Sequence, residues 1–291
     1  QMIGQFFDTL PEERMMLVKE GDTLQTGRHT LRFVMAPMVH WPEVMVTYDE
    51  TEKVLFSADA FGTFGALNGN IFNDEINFEK DWLADARRYY ANIVGKYGAQ
   101  VQALLKKASA LDIQMICPLH GPIWRNNIEY FIEKYDRWSK YEPEDREVVI
   151  IYGSIYGNTE RAVNALAGKL AEKGIKNIAA YDVSSTHVSE LISEIFRASH
   201  IVIACPTYNG GIFPPMENVL NDMAALAVKK RTVAVVENGT WAPAAGRQII
   251  KKLEEMKEMK ILDMQLSLKS TLKNEREEEL DVFVKQIVES M

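Results

Sequence analysis

Short polar side chains occupy a glycine-containing loop between a predicted strand and a predicted helix, Gly153-Ser154-Ile155-Tyr156-Gly157-Asn158-Thr159. Their hydroxyl and amide groups are hydrogen-bond donors, the glycines let the backbone approach an anion, and the helix N-terminus adds N–H groups with a partial positive charge. The loop has no Lys or Arg and fits neither G-x-x-x-x-G-K-S/T nor G-x-G-x-x-G, which argues against nucleoside triphosphates and NAD. It predicts a phosphate held by neutral donors; the alternative is an ordinary strand-to-helix turn.

Two further loops carry aromatic residues, and each follows a predicted strand. The loop 205–214 contains Pro206-Thr207-Tyr208-Asn209-Gly210-Gly211, in which the glycines expose backbone groups to a flat ring. The loop 237–246 contains Asn238, Gly239 and Trp241. A phosphate cradle combined with two aromatic loops suits a ligand that has one phosphate and a planar heterocycle.

The elements that must position these loops alternate regularly through the C-terminal half. Short apolar runs predict buried strands, and segments with helical periodicity separate them. Such alternation predicts an α/β fold with a doubly wound, five-stranded parallel sheet, whose ligand lies beyond the strand C-termini at the switch in strand order. The predicted strands are 148–152, 178–181, 201–204, 232–236 and 262–268, and the predicted helices are 160–173, 188–196, 215–227, 246–256 and 274–289.

Two of these loops resemble those of a known family. Ser154 to Thr159 is similar to the flavodoxin phosphate loop, and Pro206 to Gly211 is similar to its second flavin loop. The resemblance implies a flavodoxin-like FMN-binding domain over residues 147–291. The charged segment 140–146, which contains Pro143, predicts a boundary with a first domain at residues 1–140.

In the N-terminal half, three potential metal ligands each follow a predicted strand in a Gly/Pro-rich turn. They are His40, Asp59 and His120. Imidazole nitrogens and carboxylates bind iron or zinc, and a carboxylate can bridge two metals. Taken singly, each has a structural alternative as a capping or turn residue. The strands are predicted at 31–36, 44–48, 53–57 and 115–118, with a hairpin around 49–52 and helices within 78–110 and 126–139.

As a spaced set, these three residues resemble metal ligands of the metallo-β-lactamase fold. The surrounding sequences His40-Trp41-Pro42, Asp59-Ala60-Phe61-Gly62 and His120 to Arg125 are similar to those of the flavodiiron proteins (A-type flavoproteins), which join a metallo-β-lactamase-like αββα domain to a flavodoxin-like domain. The resemblance implies electron flow from a rubredoxin-like donor through FMN to a non-haem diiron site that reduces O2 to water or NO to N2O. His40 and His120 would each hold one iron with Asp59 between them, in a head-to-tail homodimer. No catalytic residue is identified, and the sequence does not choose between O2 and NO.

The chain departs from this family in one motif. The run H-x-E-x-D-H, which supplies further ligands, does not occur, and the resemblance covers only about the second half of the metal domain. Three explanations stay open: a fragment of a longer protein, a second chain that supplies the missing half, or a lost iron site that leaves an FMN electron-transfer flavoprotein. A metallo-β-lactamase-type hydrolase is disfavoured, because a flavin domain has no role in hydrolysis. Without the first half, strand 31–36 is expected to expose apolar surface and an unpaired edge, so the chain alone is not expected to be a stable monomer.

Composition excludes several other classes. A length of 291 residues favours two domains, and a net charge of −8 disfavours nucleic acid and anionic membranes as partners. No apolar run reaches the roughly 20 residues that span a bilayer, and no signal peptide is visible, which favours a cytoplasmic protein. Cys117 and Cys205 form no C-x-x-C pair, so no rubredoxin-type iron site is expected in this chain.

Overall fold

The chain folds around two β-sheets, one on either side of the segment 140–144, in a computed structural model that describes residues 2–7 and 12–291. Residues 1 and 8–11 of the predicted first domain therefore lie outside the described residues. The first sheet has the order β1-β2-β3-β4-β5, and only β4 and β5 are parallel neighbours. Its strands are β1 (Thr23–Thr26), β2 (His29–Met35), β3 (Met45–Asp49), β4 (Val54–Ala58) and β5 (Met115–Pro118).

Helices from the predicted regions 78–110 and 126–139 pack in one core with this sheet. They are α2 (Phe78–Asp81), α3 (Leu83–Tyr89), α4 (Gly98–Ala108) and α5 (Ile128–Ser139), with a π-helical turn at Tyr90–Val94 and 3-10 turns at Asn73–Glu75 and Gly95–Tyr97. A short helix α1 (Ile3–Phe6), which has no buried residue, and a 3-10 turn at Glu12–Arg14 precede β1. Val46, Leu55 and Ile116 lie in the resulting core. The hairpin of β3 and β4 around residues 49–52 is confirmed.

The expectation of an unpaired edge at residues 31–36 was wrong. β2 pairs with β3 on one side and on the other with β1, which the sequence did not predict. β1 is a short polar strand with three of its four residues exposed, so it gives no alternating apolar signal. Exposed apolar surface does occur, but on the neighbouring strands, where Met45 is 38% and Phe56 48% exposed.

The second sheet is the predicted doubly wound parallel sheet. Its order is β7-β6-β8-β10-β11, with β12 also paired to β10, which is the flavodoxin-like order 2-1-3-4-5 with the fifth strand in two pieces. The ladder breaks where Met264 N donates to the Gln286 side chain at 3.2 Å instead of to β10. The strands are β6 (Asp145–Tyr152), β7 (Ala179–Asp182), β8 (Ala198–Tyr208), β9 (Gly211–Ile212, antiparallel to β8), β10 (Arg231–Asn238), β11 (Met259–Ile261) and β12 (Leu266–Leu268).

Helices cover both faces of this sheet, because its strands are apolar on both sides. Val148 and Ile150 pack with residues of α6 and α10, whereas Val149 and Ile151 pack in the cluster that includes α7, α8 and α9. These helices are α6 (Asn158–Glu172), α7 (Val188–Arg197), α8 (Pro214–Ala225), α9 (Ala245–Glu254) and α10 (Glu277–Ser290), preceded by a 3-10 turn at Asn274–Arg276. Of the helices in residues 2–7 and 12–291, none combines the length and hydropathy needed to cross a bilayer.

The two sheet units share one hydrophobic core. The rings of Tyr90 and Trp138 lie 5.4 Å apart, and Tyr90 also meets Phe196 of α7 edge-on at 6.3 Å. The buried guanidinium of Arg231 donates to the carbonyl oxygens of Tyr141 and Phe196 at 2.8 and 2.6 Å. The connecting segment is therefore packed between the units and does not act as a loose tether.

Candidate functional site

The first predicted loop connects β6 to α6 at the C-terminal edge of the parallel sheet. Gly157 has a left-handed backbone (φ +79°), from which α6 begins. Ser154 Oγ accepts a hydrogen bond from Glu160 N at 3.3 Å, which leaves its own proton free to donate. Within the described part of the chain, the backbone N–H groups of residues 154–159 have no hydrogen-bond partner. They surround the positive end of a 15-residue helix and can bind an anion.

The second loop is a tight β-hairpin. Asn209 and Gly210 both have positive φ, +49° and +75°, and they reverse the chain so that Tyr208 lies opposite Gly211. Beyond the hairpin, Phe213 packs against the first loop, where a Cβ on Gly153 would lie 2.7 Å from its ring. Gly153 is thus needed for the close approach of the two loops.

The third loop is tied to the second through helix α9. Thr207 Oγ1 accepts from the backbone N–H groups of Ala244 and Ala245 at 2.9 and 3.2 Å, so it caps this helix. Gln248, one turn into α9, donates to Gly210 O at 2.9 Å. The hairpin is therefore held in place before any ligand binds.

The third loop is also tied to the first. Asn238 Nδ2 donates to Thr159 Oγ1 at 3.3 Å and to Ser270 O at 2.8 Å, and Asn238 Oδ1 accepts from Ser270 N at 2.9 Å. Thr240 Oγ1 lies 2.9 Å from Ser270 Oγ. A fourth loop, which follows β12, therefore belongs to the same edge, although no motif in the sequence predicts it.

All the residues predicted to bind the cofactor lie at this edge. Aromatic groups remain open to solvent there: Tyr156 is 88%, Trp241 87% and Tyr208 45% exposed. Because β6 leads to β7 on one side and β8 leads to β10 on the other, the first two loops flank the switch in strand order. The first loop contains Ser154, Ile155, Tyr156 and Gly157, and α6 begins with Asn158 and Thr159. Strand β8 ends with Pro206, Thr207 and Tyr208, and the hairpin turn and the start of β9 are formed by Asn209, Gly210 and Gly211. Strand β10 ends at Asn238 and is followed by Gly239 and Trp241.

In the first sheet, the structure brings two of the three predicted metal ligands together. Asp59 and His120 follow the parallel strands β4 and β5, and Asp59 Oδ1 lies 3.4 Å from His120 Nε2. Tyr89 of α3 donates its hydroxyl to Asp59 Oδ1 at 3.1 Å. Burial, and then the negative charge of Asp59, raise the pKa of Tyr89, so it stays protonated as a donor. Tyr89 lies 30 residues from Asp59 and was missed, because nothing local to its helix marks it.

His40 does not join this pair. It follows β2, which runs in the same direction as β4 but is separated from it by β3, so the two strand ends are about 10 Å apart. No group of three or more His, Cys, Asp and Glu side chains that could hold a metal ion occurs in residues 2–7 and 12–291. The described residues therefore provide part of a metal site and do not fit a complete diiron site.

Comparison with protein families divides the chain in the same way. Residues 2–121 match the family described as "ODP family beta lactamase", and residues 150–281 match the flavodoxin family. Among solved structures, rubredoxin oxygen:oxidoreductase from Desulfovibrio gigas superposes with a TM-score of 0.90 at 26% identity, covering 99% of this chain and 71% of that one. The flavodiiron protein from Giardia intestinalis superposes with a TM-score of 0.87 at 26% identity, covering 94% and 68%.

Curated relatives extend beyond the matched region. An uncharacterized protein of Methanocaldococcus jannaschii is 32% identical over 247 residues, which are 85% of this chain and 61% of the relative. Anaerobic nitric oxide reductase flavorubredoxin of Escherichia coli is 30% identical over 264 residues, which are 89% of this chain and 54% of the relative. The chain thus spans between about half and three fifths of the length of these relatives.

Proposed function

Because the chain is built like the flavodiiron proteins, with a β-lactamase-like domain followed by a flavodoxin domain, we propose that it is the FMN-bearing part of a flavodiiron-type oxidoreductase. The proposed domains are residues 1–140 and 147–291. The observation that carries the proposal is the edge at which three loops meet. There, the N–H groups of residues 154–159, which have no partner among the described residues, lie near open aromatic side chains. This edge offers both a cradle for a phosphate and surfaces for a flat ring.

The residues at this edge suit FMN group by group. The N–H groups of residues 154–159 and the hydroxyls of Ser154 and Thr159 would bind the phosphate. Tyr208 and Trp241 would lie beside the ring, and the hairpin turn Asn209-Gly210 would offer it backbone groups. When bound, FMN supplies the one- and two-electron chemistry. The chain's own contribution is to hold the phosphate with neutral donors and to keep the hairpin rigid through Thr207 and Gln248.

The β-lactamase-like domain is the proposed place of O2 or NO reduction. Asp59 and His120 would bind metal, and Tyr89 would hold the Asp59 carboxylate in one orientation. His40 lies at the same edge of the sheet. Even if His40 is included, three residues are too few for two irons, so a complete non-haem diiron site needs further ligands. A rubredoxin-like electron donor and a head-to-tail dimer are part of the proposal; the names of the Desulfovibrio and Escherichia relatives support such a donor and both substrates.

Titration with FMN tests the flavin site directly. We expect purified protein to bind one FMN per chain with quenching of flavin fluorescence. Gly157→Val should weaken this binding, because a β-branched residue is strained at φ +79°. Gly174→Val, at a similar φ of +85° after α6 and far from the loops, is the matched control for nonspecific damage. Protein that neither takes up FMN nor quenches it refutes the proposal.

A second candidate function is an FMN electron carrier without gas chemistry. It is favoured by the incomplete metal site among the described residues. Metal analysis distinguishes the two functions once any chain that supplies the missing half of the metal domain is present. About two irons per FMN, lost in His120→Ala, then supports the reductase, whereas bound FMN without iron supports the carrier.

A further inference from the structure

Asn238 was expected to contact the ligand, but its amide is already used within the protein. Asn238 is 6% exposed, and backbone groups of Ser270 hydrogen-bond to both polar atoms of its side chain. Ser270 N–H donates to Oδ1, and Ser270 C=O accepts from Nδ2. An amide flipped by 180° would place N–H against N–H, so Ser270 fixes which end of the amide faces Thr159.

The fixed amide determines the role of the Thr159 hydroxyl. Asn238 Nδ2 donates to Thr159 Oγ1, so the Thr159 proton must point away from Asn238. Within the described chain, no acceptor receives that proton, although Thr159 is only 2% exposed. Thr159 is the second residue of α6, among the free N–H groups of the first loop. A buried donor without an acceptor points to a ligand atom that accepts there.

We infer that Asn238 is a positioning residue that makes Thr159 a dedicated hydrogen-bond donor, so that this edge selects a flavin ending in a phosphate ester over the unphosphorylated flavin. This inference rests on the proposed FMN site and adds the origin of its specificity. A hydrogen bond to a charged phosphate oxygen is roughly twice as strong as one to a neutral hydroxyl. A hydroxyl that can only donate therefore favours FMN over riboflavin.

The test compares the affinities for FMN and for riboflavin in variants of the whole chain. Asn238→Ala removes the amide, and we expect FMN affinity to fall about tenfold while riboflavin affinity changes little. Thr159→Val should lower FMN affinity to a similar extent, whereas Thr159→Ser, which keeps the hydroxyl, should retain it. In the double variant, loss of Asn238 should have little further effect, because it acts through Thr159.

A second variant covers the case in which Asn238→Ala does not fold. Asn238→Asp still accepts from Ser270 N, but it accepts from Thr159 as well and so turns the Thr159 lone pairs towards the phosphate. The added charge of Asn238→Asp repels phosphate whether or not the Thr159 hydroxyl is present. This repulsion therefore cancels when the effect of Asn238→Asp on FMN affinity is compared between the unaltered chain and Thr159→Val. The difference between the two effects should again be about tenfold in FMN affinity.

Thr240→Val is the matched control, because it removes a hydrogen bond from the same loop to Ser270 without touching Thr159. It should leave the FMN-to-riboflavin ratio unchanged. Equal loss of both flavins in the Asn238 variants, or additive effects with Thr159→Val, would overturn the inference and indicate a structural role only. Failure of the unaltered protein to bind either flavin would instead refute the proposed FMN site.

Discussion

The carboxylate of Glu144 belongs to an ion network that reaches from the first domain to the second through Arg87. Its side chain is 3% exposed and accepts from Arg87 Nε at 2.5 Å, Lys134 Nζ at 3.0 Å and Trp138 Nε1 at 2.6 Å. Arg87 also reaches Glu194 of α7 at 3.3 Å. We expect Glu144→Gln to lower the free energy of unfolding by about 3 kcal/mol, the lower end for breaking a buried pair, because Arg87 keeps Glu194 as a partner.

The same carboxylate predicts an acid dependence of stability. Burial alone would raise the pKa of Glu144, but the charges of Arg87 and Lys134 outweigh it and hold the pKa below its usual value. A carboxyl whose pKa is lowered by folding stabilises the protein above its unfolded pKa of about 4.3, and this contribution is lost as the pH falls through the folded pKa. Glu144→Gln should therefore be destabilised at pH 7 and should lose less stability than the unaltered protein below about pH 4.

Denaturant unfolding followed by circular dichroism, with limited proteolysis of segment 140–146, measures both effects. The exposed Glu142→Gln provides the control, and its unfolding free energy should change by less than about 0.5 kcal/mol. If Glu144→Gln unfolds at the same denaturant concentration as the control at pH 7, with no faster cleavage of the segment, the ion network does not hold the domains together.

Three further substitutions test the sites and the exposed sheet face. Tyr89→Phe removes the donor to Asp59 and should lower iron affinity about tenfold or more, measured by metal analysis, with unfolding free energy reduced by only about 1 kcal/mol; unchanged iron binding contradicts the role of Tyr89. Thr207→Val removes the cap of α9 and should cost about 1 kcal/mol in thermal unfolding and weaken FMN binding, whereas a stable variant with native affinity would show that the cap is dispensable. Phe56→Glu, on the face that also exposes Met45, should reduce self-association and binding of a hydrophobic dye with little loss of stability; undiminished dye binding would show that another surface is responsible.

The parallel sheet could be predicted strand by strand because its interior strands are buried on both faces. Val148 to Tyr152 and Thr232 to Val236 are apolar runs for that reason, and both lie in strands. β1 could not be found in this way, since an exposed edge strand has no apolar face. The division of the fifth strand depends on Gln286, which comes from α10, 22 residues away from Met264. Local sequence cannot show such a partner.

The same distinction applies to the flavin edge. Its loops were predicted because phosphate binding uses consecutive residues, from Ser154 to Thr159, at one helix N-terminus. The functions of Thr207 and Asn238 were not, because their partners lie 37 and 32 residues away, at Ala244 and Ser270. The sequence predicts that both residues contact the ligand, and the structure shows that each also holds a neighbouring loop.

One topological rule positions both candidate sites. The flavin loops follow the parallel strands β6, β8 and β10. Asp59 and His120 follow β4 and β5, which are parallel neighbours in the first sheet. Parallel neighbours end at the same edge, so residues far apart in sequence meet there without any local signal. His40 shows the limit of the rule: β2 ends at that edge too, but the antiparallel β3 intervenes. The motifs in the sequence identify all three candidate ligands, whereas the order of the strands in the sheet determines which two of them lie in contact.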